Sequence, residues 1–424
     1  MTTASDSLQM FQHHRTISVC KNRGWPGRVQ AMETSSEEQA GAAQQRGTKM
    51  GSEDGARKWD VFRLGNLLRM AVVWILCLFY SYIQYHVIRL QLPHRKHEFQ
   101  SLNFRFRSSQ ESKPACIVTG ASSGLGRETA SALAQRGFHV ILAGRSLERL
   151  EVVRAEIQTQ SSSASCQALA VDLTSVPSIL SFTRTVKELF ESHDSPGTLQ
   201  LLVNNAGVIA ASQRWTEDDC DVTMASNYIG HYILTHELLP LLQKNAPQAR
   251  IVNLVSFTHR ALQRDQIDVS QLRNGGIQQK PADRSYYPLA KIYETSKLFL
   301  ILFSYELHRR GFSNTEHKDR VSVMAADPGF ASTNLLREVP NWLVQLSFIV
   351  MRLLRLWQSP TAGASSVVAA ATAPWEVSGK YVFGNQGLFC KSTSLTYDEQ
   401  LGRSLWEASE GICTELIDKH SKYD

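Results

Sequence analysis

Residues 114–126 read PACIVTGASSGLG, a short apolar run that breaks into a glycine-rich bend. The apolar residues 115–118 have the pattern of a buried strand, and Thr119 and Gly120 open a turn leading to a helix near Leu125. Gly120 permits the tight turn, while Gly124 and Gly126 remove the Cβ atoms that would hold a pyrophosphate, or a packed strand, away from the helix N-terminus. Free N–H groups and the helix dipole favour negative charge there, so the bend is a candidate anion site. Three glycines at this spacing also make an ordinary turn, and the rest of the chain has to decide between the two.

Downstream, short apolar runs recur at 138–143, 167–172, 199–204, 251–255, 321–326 and 380–383. They are apolar on both faces and separated by amphipathic segments such as 147–157 and 222–242, which predicts a parallel sheet covered by helices. The expected fold is α/β, a single doubly wound Rossmann domain with seven parallel strands. Length alone would allow two or three domains in 424 residues, but composition removes residues from both ends. The net charge of +6 and pI near 8.9 come partly from Arg and Lys beside an apolar segment, which suits an acidic membrane surface, and no aromatic-basic interleaving points to nucleic acid. Seven scattered cysteines, none at metal-ligand spacing, predict reduced thiols and no metal site.

Upstream of the bend, residues 1–56 are rich in Ser, Thr, Gln, Gly and Glu without apolar periodicity, and are expected to be a disordered tail. Arg15, Lys21, Arg23 and Arg28 against the single acid Asp6 faintly resemble an organelle transit peptide. Residues 70–88, MAVVWILCLFYSYIQYHVI, carry no charge between Arg69 and Arg89 and are about as long, as a helix, as a bilayer core is thick. Trp74, Tyr80, Tyr82 and Tyr85 suit an interfacial belt, whereas Ser81, Gln84 and His86 weaken the second half, so both a membrane helix and a buried or surface-lying one stay open. Basic residues flank both ends and give no orientation.

The candidate chemistry lies further along. Strand two ends in Ala143-Gly144-Arg145-Ser146 with no acid to bind ribose hydroxyls; Arg145 offers a fork for a 2′-phosphate, favouring NADP(H), or else is a solvated helix-start residue. Tyr293-Glu294-Thr295-Ser296-Lys297 places a phenol and an ammonium on one helix face, where the cation favours the phenolate and the phenol can exchange a proton with a carbonyl or alcohol. Tyr287 and Lys291 share that spacing, but Pro288 suits a helix first turn and would leave Tyr287 at or before the start.

With these motifs in hand the chain resembles the short-chain dehydrogenases/reductases. Thr119 to Gly126 matches the family's TGxxxGxG loop, and Asn204-Asn205-Ala206-Gly207 its NNAG element. SNYIGHYILT, RIVNLVSFTH and DPGFASTNL point within it to the retinol-dehydrogenase-like group, including its X-chromosome-encoded member. The resemblance implies a cofactor held by Gly120, Ser122, Ser123, Gly124, Leu125 and Gly126, by Arg145, Asp172 and Leu173, by Asn204, Ala206 and Gly207, and by Pro328, Gly329 and Thr333. It implies Ser256 on the substrate oxygen, Tyr293 as acid/base, Lys297 as its activating and ribose-binding partner, and Asn227 completing a proton relay through water.

Two departures bear on access. Val255 stands where many relatives have a second Ser, and the 37 residues from Ser256 to Tyr293 (293 − 256) exceed the usual distance, with Asn274-Gly275-Gly276 marking a loop. That insertion either borders the active-site mouth or is a passive surface loop. Residues 341–357, NWLVQLSFIVMRLLRLW, follow the Pro-Gly loop where the family builds its lid; Arg352 and Arg355 make the segment too charged to span a bilayer but suited to lie on one or to cover a greasy substrate, with a plain core or dimer helix as the alternative.

The sequence therefore predicts a disordered tail over 1–56, a membrane-anchor helix over 57–92, a catalytic domain over 110–390 with a lid at 335–358, and a helical tail over 391–424. The expected activity is NADP(H)-dependent interconversion of a carbonyl and an alcohol on a retinoid, steroid, isoprenoid or fatty substrate at a membrane, the endoplasmic reticulum first and a mitochondrial or plastid membrane otherwise. Expected partners are that lipophilic molecule and the membrane, with no nucleic acid and a homodimer as one assembly. A non-catalytic NADPH-binding scaffold or redox sensor, and a sugar-nucleotide epimerase or dehydratase, are the alternatives; only 95 residues (424 − 329) follow Gly329, which is little for the latter's substrate domain.

Overall fold

A computed structural model of the chain describes residues 38–91, 113–244, 249–276, 287–313, 321–374, 377–384 and 387–421, with side chains of the first helix from Gly65 onward. The chain divides into two units, Met1–Gly65 and Asn66–Asp424. In the first, the backbone from Glu38 is helical and belongs to α1 (Glu38–Gln91). Residues 1–37, the larger part of the expected tail, lie outside the described residues.

From β1 (Pro114–Thr119) the chain alternates strand and helix: α2 (Gly124–Ala134), β2 (His139–Gly144), α3 (Leu147–Gln160), β3 (Ser165–Ala170), α4 (Val176–Glu191) and β4 (Thr198–Asn204). A π-helical turn, Ala225–Ile229, leads into α5 (Gly230–Lys244), followed by β5 (Arg250–Leu254), α6 (Leu289–Ser313) and β6 (Ser322–Asp327). The last part holds β7 (Phe330–Ala331), α7 (Asn341–Leu353), β8 (Trp357–Gln358), α8 (Pro360–Thr372), β9 (Lys380–Phe383), β10 (Leu388–Cys390) and α9 (Glu399–Ser421). Local chemistry sets the boundaries. Ser146, Ser175 and Ser359 cap α3, α4 and α8 by accepting backbone N–H groups, and Gly137, at φ +88, ends the turn after α2.

The main sheet runs β10-β9-β6-β5-β4-β1-β2-β3. Seven strands are parallel, as the apolar runs predict, and β10 adds an antiparallel edge to β9. The third strand sits two residues earlier than its apolar pattern suggests (165–170 against 167–172), because Asp172 leaves the ladder to accept the Thr174 N–H and hydroxyl in a turn. Alternate residues feed two cores. Cys116 and Val118 pack with Leu133, Leu150 and Val367 from α2, α3 and α8, whereas Ile117 packs with the opposite layer of α4, α5, α6 and α9. Strands β1 and β4 are neighbours although two strands separate them in sequence, so the chain departs in opposite directions and opens a crevice at their C-terminal ends.

The apolar stretch Gly65–Gln91 is long and apolar enough to cross a membrane by length and composition. It docks on the domain through one stripe, with Met70, Leu78, Ser81 and Tyr85 buried and Trp74 half-buried at helical spacing. Only 22% of its most apolar window is buried, which leaves Val72, Leu76, Phe79, Ile83, Val87 and Leu90 exposed on the other side. The C-terminal tail is α9, which packs back through Leu401, Leu405, Cys413 and Leu416, with Trp406 stacked on Phe303 at 5.8 Å.

Candidate active site

At the end of β1 the backbone turns through Gly120 at φ +68, which L side chains rarely adopt. A Cβ on Gly126 would collide with the Gly120 carbonyl oxygen and come within 2.5 Å of Asn205 Nδ2, so the bend admits no side chain there. Thr119 Oγ1 fastens the neighbouring strand end by accepting the N–H groups of Asn205 (2.9 Å) and Ala206 (3.0 Å). Its hydroxyl meets Nε2 of His231 at 2.9 Å, and His231 Nδ1 lies 3.1 Å from the Asn227 carbonyl. Burial pushes that imidazole down to about 3, so the ring is neutral and donates through Nδ1 while accepting the threonine hydroxyl. His231 therefore ties the π-helical turn to the glycine bend.

A cleft of about 610 Å³ runs along the C-terminal ends of the strands, within the range of ligand sites. At one end lie Gly120, Ser122, Ser123, Gly124, Leu125 and Gly126 at the N-terminus of α2. Ser123 is the cap residue but its side chain caps nothing, so those N–H groups face the cleft. Beside them, Arg145 and Arg149 reach in from the start of α3, and Asp172 and Leu173 from the end of β3. The Asp172 carboxylate is engaged with Thr174.

Ala206 and Thr333 lie against the glycine bend, and Gly207, Ser256, Tyr293, Lys297, Pro328 and Gly329 line the same space. Ser256, directly after β5, accepts the Thr258 N–H at 3.3 Å, and its side chain hydrogen-bonds the Tyr293 phenol. Lys297, one helical turn from Tyr293 on α6, donates to the Leu254 carbonyl at 2.8 Å and sits 5.9 Å from the tyrosine ring centre. Burial raises the Tyr293 phenol above its ordinary range, with the Ser256 hydrogen bond opposing. It lowers Lys297 to about 8, with the Asp327 carboxylate opposing. In the protein alone burial, not Lys297, dominates the phenol. Asp327 itself is pushed up to about 6 by burial and holds the Pro-Gly loop by accepting the Gly329 N–H (2.8 Å) and the Tyr381 hydroxyl (2.6 Å).

One wall comes from α1. Trp74 lines the cleft, its ring 5.6 Å from that of Tyr293, and its indole N–H donates to Glu294 Oε1 at 2.6 Å. Further along, Arg260 donates to Ser81 Oγ (2.9 Å), Gln358 bonds the Tyr82 hydroxyl, and Tyr82 and Tyr85 meet Phe383 edge-on.

The short chain dehydrogenase family pattern matches residues 114–263. Human polyprenol dehydrogenase is 33% identical over 69% of this chain and 83% of its own length. Mouse retinol dehydrogenase 13 is 36% identical over 69% of this chain and 81% of its own. The chain belongs to the short-chain dehydrogenase family. A solved structure of an uncharacterized protein from Mycobacterium paratuberculosis shares the fold, with 25% identity, a TM-score of 0.51, and coverage of 71% of this chain and 93% of that one.

Two residues that the family resemblance places in the site do not reach the cleft. Asn204 is fully buried on the helix side of β4, donating to Thr235 Oγ1 (2.9 Å) and Asn253 Oδ1 (2.8 Å). It is Asn205 that binds the bend, through Nδ2 to the Thr119 carbonyl at 2.7 Å. Asn227 is buried in the π-helical turn, where such bulges often mark functional positions; it donates to Val208 O (3.0 Å) and Ser296 Oγ (3.1 Å) and accepts from Val208 N (2.8 Å). It stands behind Gly207, on which a Cβ would lie 3.5 Å from Lys297 Nζ and 3.7 Å from Asn227 Oδ1.

The second tyrosine, Tyr287, precedes α6 and donates to Asp221 Oδ2 at 2.9 Å, outside the cleft. Of the insertion after Ser256, only Phe257 and Thr258 touch the cleft among the described residues; Leu262, Ile267 and Leu272 are buried in the domain, and residues 277–286 lie outside the description. The sequence motifs give no site role to Trp74, Arg149, Asn205 or His231. Arg149 alone carries a local signal, a second arginine four residues beyond Arg145.

Proposed function

We propose that this short-chain dehydrogenase is an NADP(H)-dependent oxidoreductase that interconverts a carbonyl and an alcohol on a lipophilic substrate at a membrane. The observation that carries the reading is the convergence of Ser256, Tyr293 and Lys297 at one end of a cleft whose other end is the bare N-terminus of α2. The glycine bend and the cations Arg145, Arg149 and Lys297 fit a dinucleotide diphosphate and its sugar. Two guanidinium groups and no acid at the β2 end favour a 2′-phosphate.

Bound there, the dinucleotide supplies hydride to the carbonyl carbon, or takes it from the alcohol. Ser256 holds the substrate oxygen by hydrogen bonding. Tyr293, kept protonated by burial, gives its proton to that oxygen as negative charge develops, and recovers it in the opposite direction. The Lys297 charge offsets the resulting phenolate. A positioned acid of this kind is worth roughly 10² to 10⁴ in rate. Phe257, Phe330 and Phe348 beside Trp74 make the mouth apolar, which agrees with relatives named for polyprenol and retinol. The exposed apolar faces of α1 and of α7, with Trp342, Leu346, Ile349 and Leu353, support membrane contact.

Purified full-length protein with NADPH is expected to reduce members of a panel of retinoid, isoprenoid and fatty aldehydes, followed by loss of NADPH absorbance. Tyr293→Phe is expected to lose turnover while keeping NADPH affinity, and Tyr287→Phe to remain close to the parent. Silence across the panel, and across the matching alcohols with NADP⁺, would overturn the reading.

A further inference from the structure

Between α1 and α7 lies a second, narrow opening of about 40 Å³. Met70, Ala71 and Ile75 form one side, and Leu343, Val344 and Met351 the other. Trp74, Phe257, Phe330 and Leu336 line this slot and the main cleft alike, so the two lie side by side with only these four side chains between them, Trp74 being the one that also meets Tyr293. No charged side chain borders it. Its one hydroxyl, on Ser347, is spent on the Leu343 carbonyl at 2.8 Å. Water would find no partners in such a space, and a helix or second copy is far too wide for it. A hydrocarbon chain is the occupant such an apolar lining suits, and the unbranched methionines on both sides can turn to widen the slot for its methyl branches. On both helices the faces turned away from the slot are apolar and exposed.

We infer that α1 is a wall of the substrate site rather than only a tether, and that the slot between α1 and α7 receives the hydrocarbon tail of a long-chain isoprenoid or acyl substrate whose carbonyl lies at Ser256 and Tyr293. This rests on the carbonyl-reducing reading above. Trp74 is then the specificity-determining residue at the junction of head and tail sites, held in place by its hydrogen bond to Glu294.

The test measures kcat/KM of full-length protein in phosphatidylcholine vesicles with NADPH and three isoprenoid aldehydes of increasing length, citral, farnesal and geranylgeranial. In the parent protein kcat/KM is expected to rise with length. Ala71→Trp fills the slot from α1, and Val344→Trp fills it from α7. Each is expected to lower the geranylgeranial-to-citral ratio about tenfold, since every methylene kept from burial costs roughly fourfold. Comparing ratios at fixed lipid removes partitioning into the vesicle. If one variant fails to fold, shown by loss of NADPH binding, the other decides. A ratio unchanged in the folded variants overturns the inference while leaving the carbonyl-reducing reading intact; no turnover of any aldehyde by the parent overturns that reading itself.

Discussion

Arg145, just before the cap of α3, and Arg149, in its first turn, both line the cleft at the β2 end, with no carboxylate from that end beside them among the described residues. If both bind the 2′-phosphate, Arg145→Ala and Arg149→Ala each weaken NADPH about tenfold, the worth of one charge-assisted hydrogen bond, and leave NADH affinity nearly unchanged. Fluorescence titration of both cofactors checks this; equal losses for NADH and NADPH would place the arginines on the shared part of the molecule. At this scale the site was legible where its signal is local. Tyr293 and Lys297 are four residues apart on one helix, and Pro288 marks Tyr287 as outside that helix. Asn204 was misplaced for a reason a strand makes plain: it shares parity with Leu202, which faces the layer of α5 and α6, so its side chain turns under those helices rather than toward the cleft.

Elements meet through contacts that no local pattern announces. Trp74 and Glu294 are 220 residues apart in sequence, and neither the apolar run of α1 nor the Tyr-x-x-x-Lys pair predicts that one caps the other. Glu294 is 5% exposed, and burial pushes its carboxyl from an ordinary 4.5 up to about 7, with the Trp74 hydrogen bond opposing. A raised carboxyl keeps its proton in the folded protein over the window in which the unfolded chain has released it. Stability therefore falls as pH rises from about 4.5 to about 7, and the deficit persists above that window. Glu294→Gln keeps an acceptor for the indole and removes the buried charge. It is expected to stabilise the protein at pH 8 by on the order of 3 kcal/mol and to flatten the dependence of Tm on pH across that window. Thermal melts of parent and variant from pH 4 to 8 measure it. A variant that melts with the parent's pH slope would show that Glu294 does not titrate there.

The architecture of the whole chain follows from runs that bury both faces of a strand, which is why seven parallel strands and their order of appearance could be read in advance. The edge strand β10 is three residues long and half-buried, too short for any period to show, and the docking of α1 depends on a surface assembled from residues 257–260, 294, 358 and 383. The opposite end of the sheet is fastened by a residue equally silent in sequence. Arg250 opens β5 at 2% exposure. Its guanidinium donates to the carbonyls of Ala370 (3.0 Å), Ala371 (3.3 Å), Ala373 and Pro374 (2.7 Å), and to Ser322 Oγ at 3.1 Å. Those carbonyls close the C-terminus of α8, where a cation also answers the helix dipole, so one side chain joins two strands to the helix that packs on α2. Arg250→Met would fill similar space but leave several buried carbonyls without a donor. The expected loss is about 3 kcal/mol or more, read as a Tm lower by several degrees. Because β5 begins at the N-terminal edge of the sheet and the cleft lies at the C-terminal edge, kcat/KM of the folded fraction is expected to stay within about twofold of the parent, the additive behaviour of distant sites. A variant that keeps its Tm but loses turnover would mean that Arg250 acts on the site through α8 and the Pro328-Gly329 loop beside it, and not on the stability of the fold.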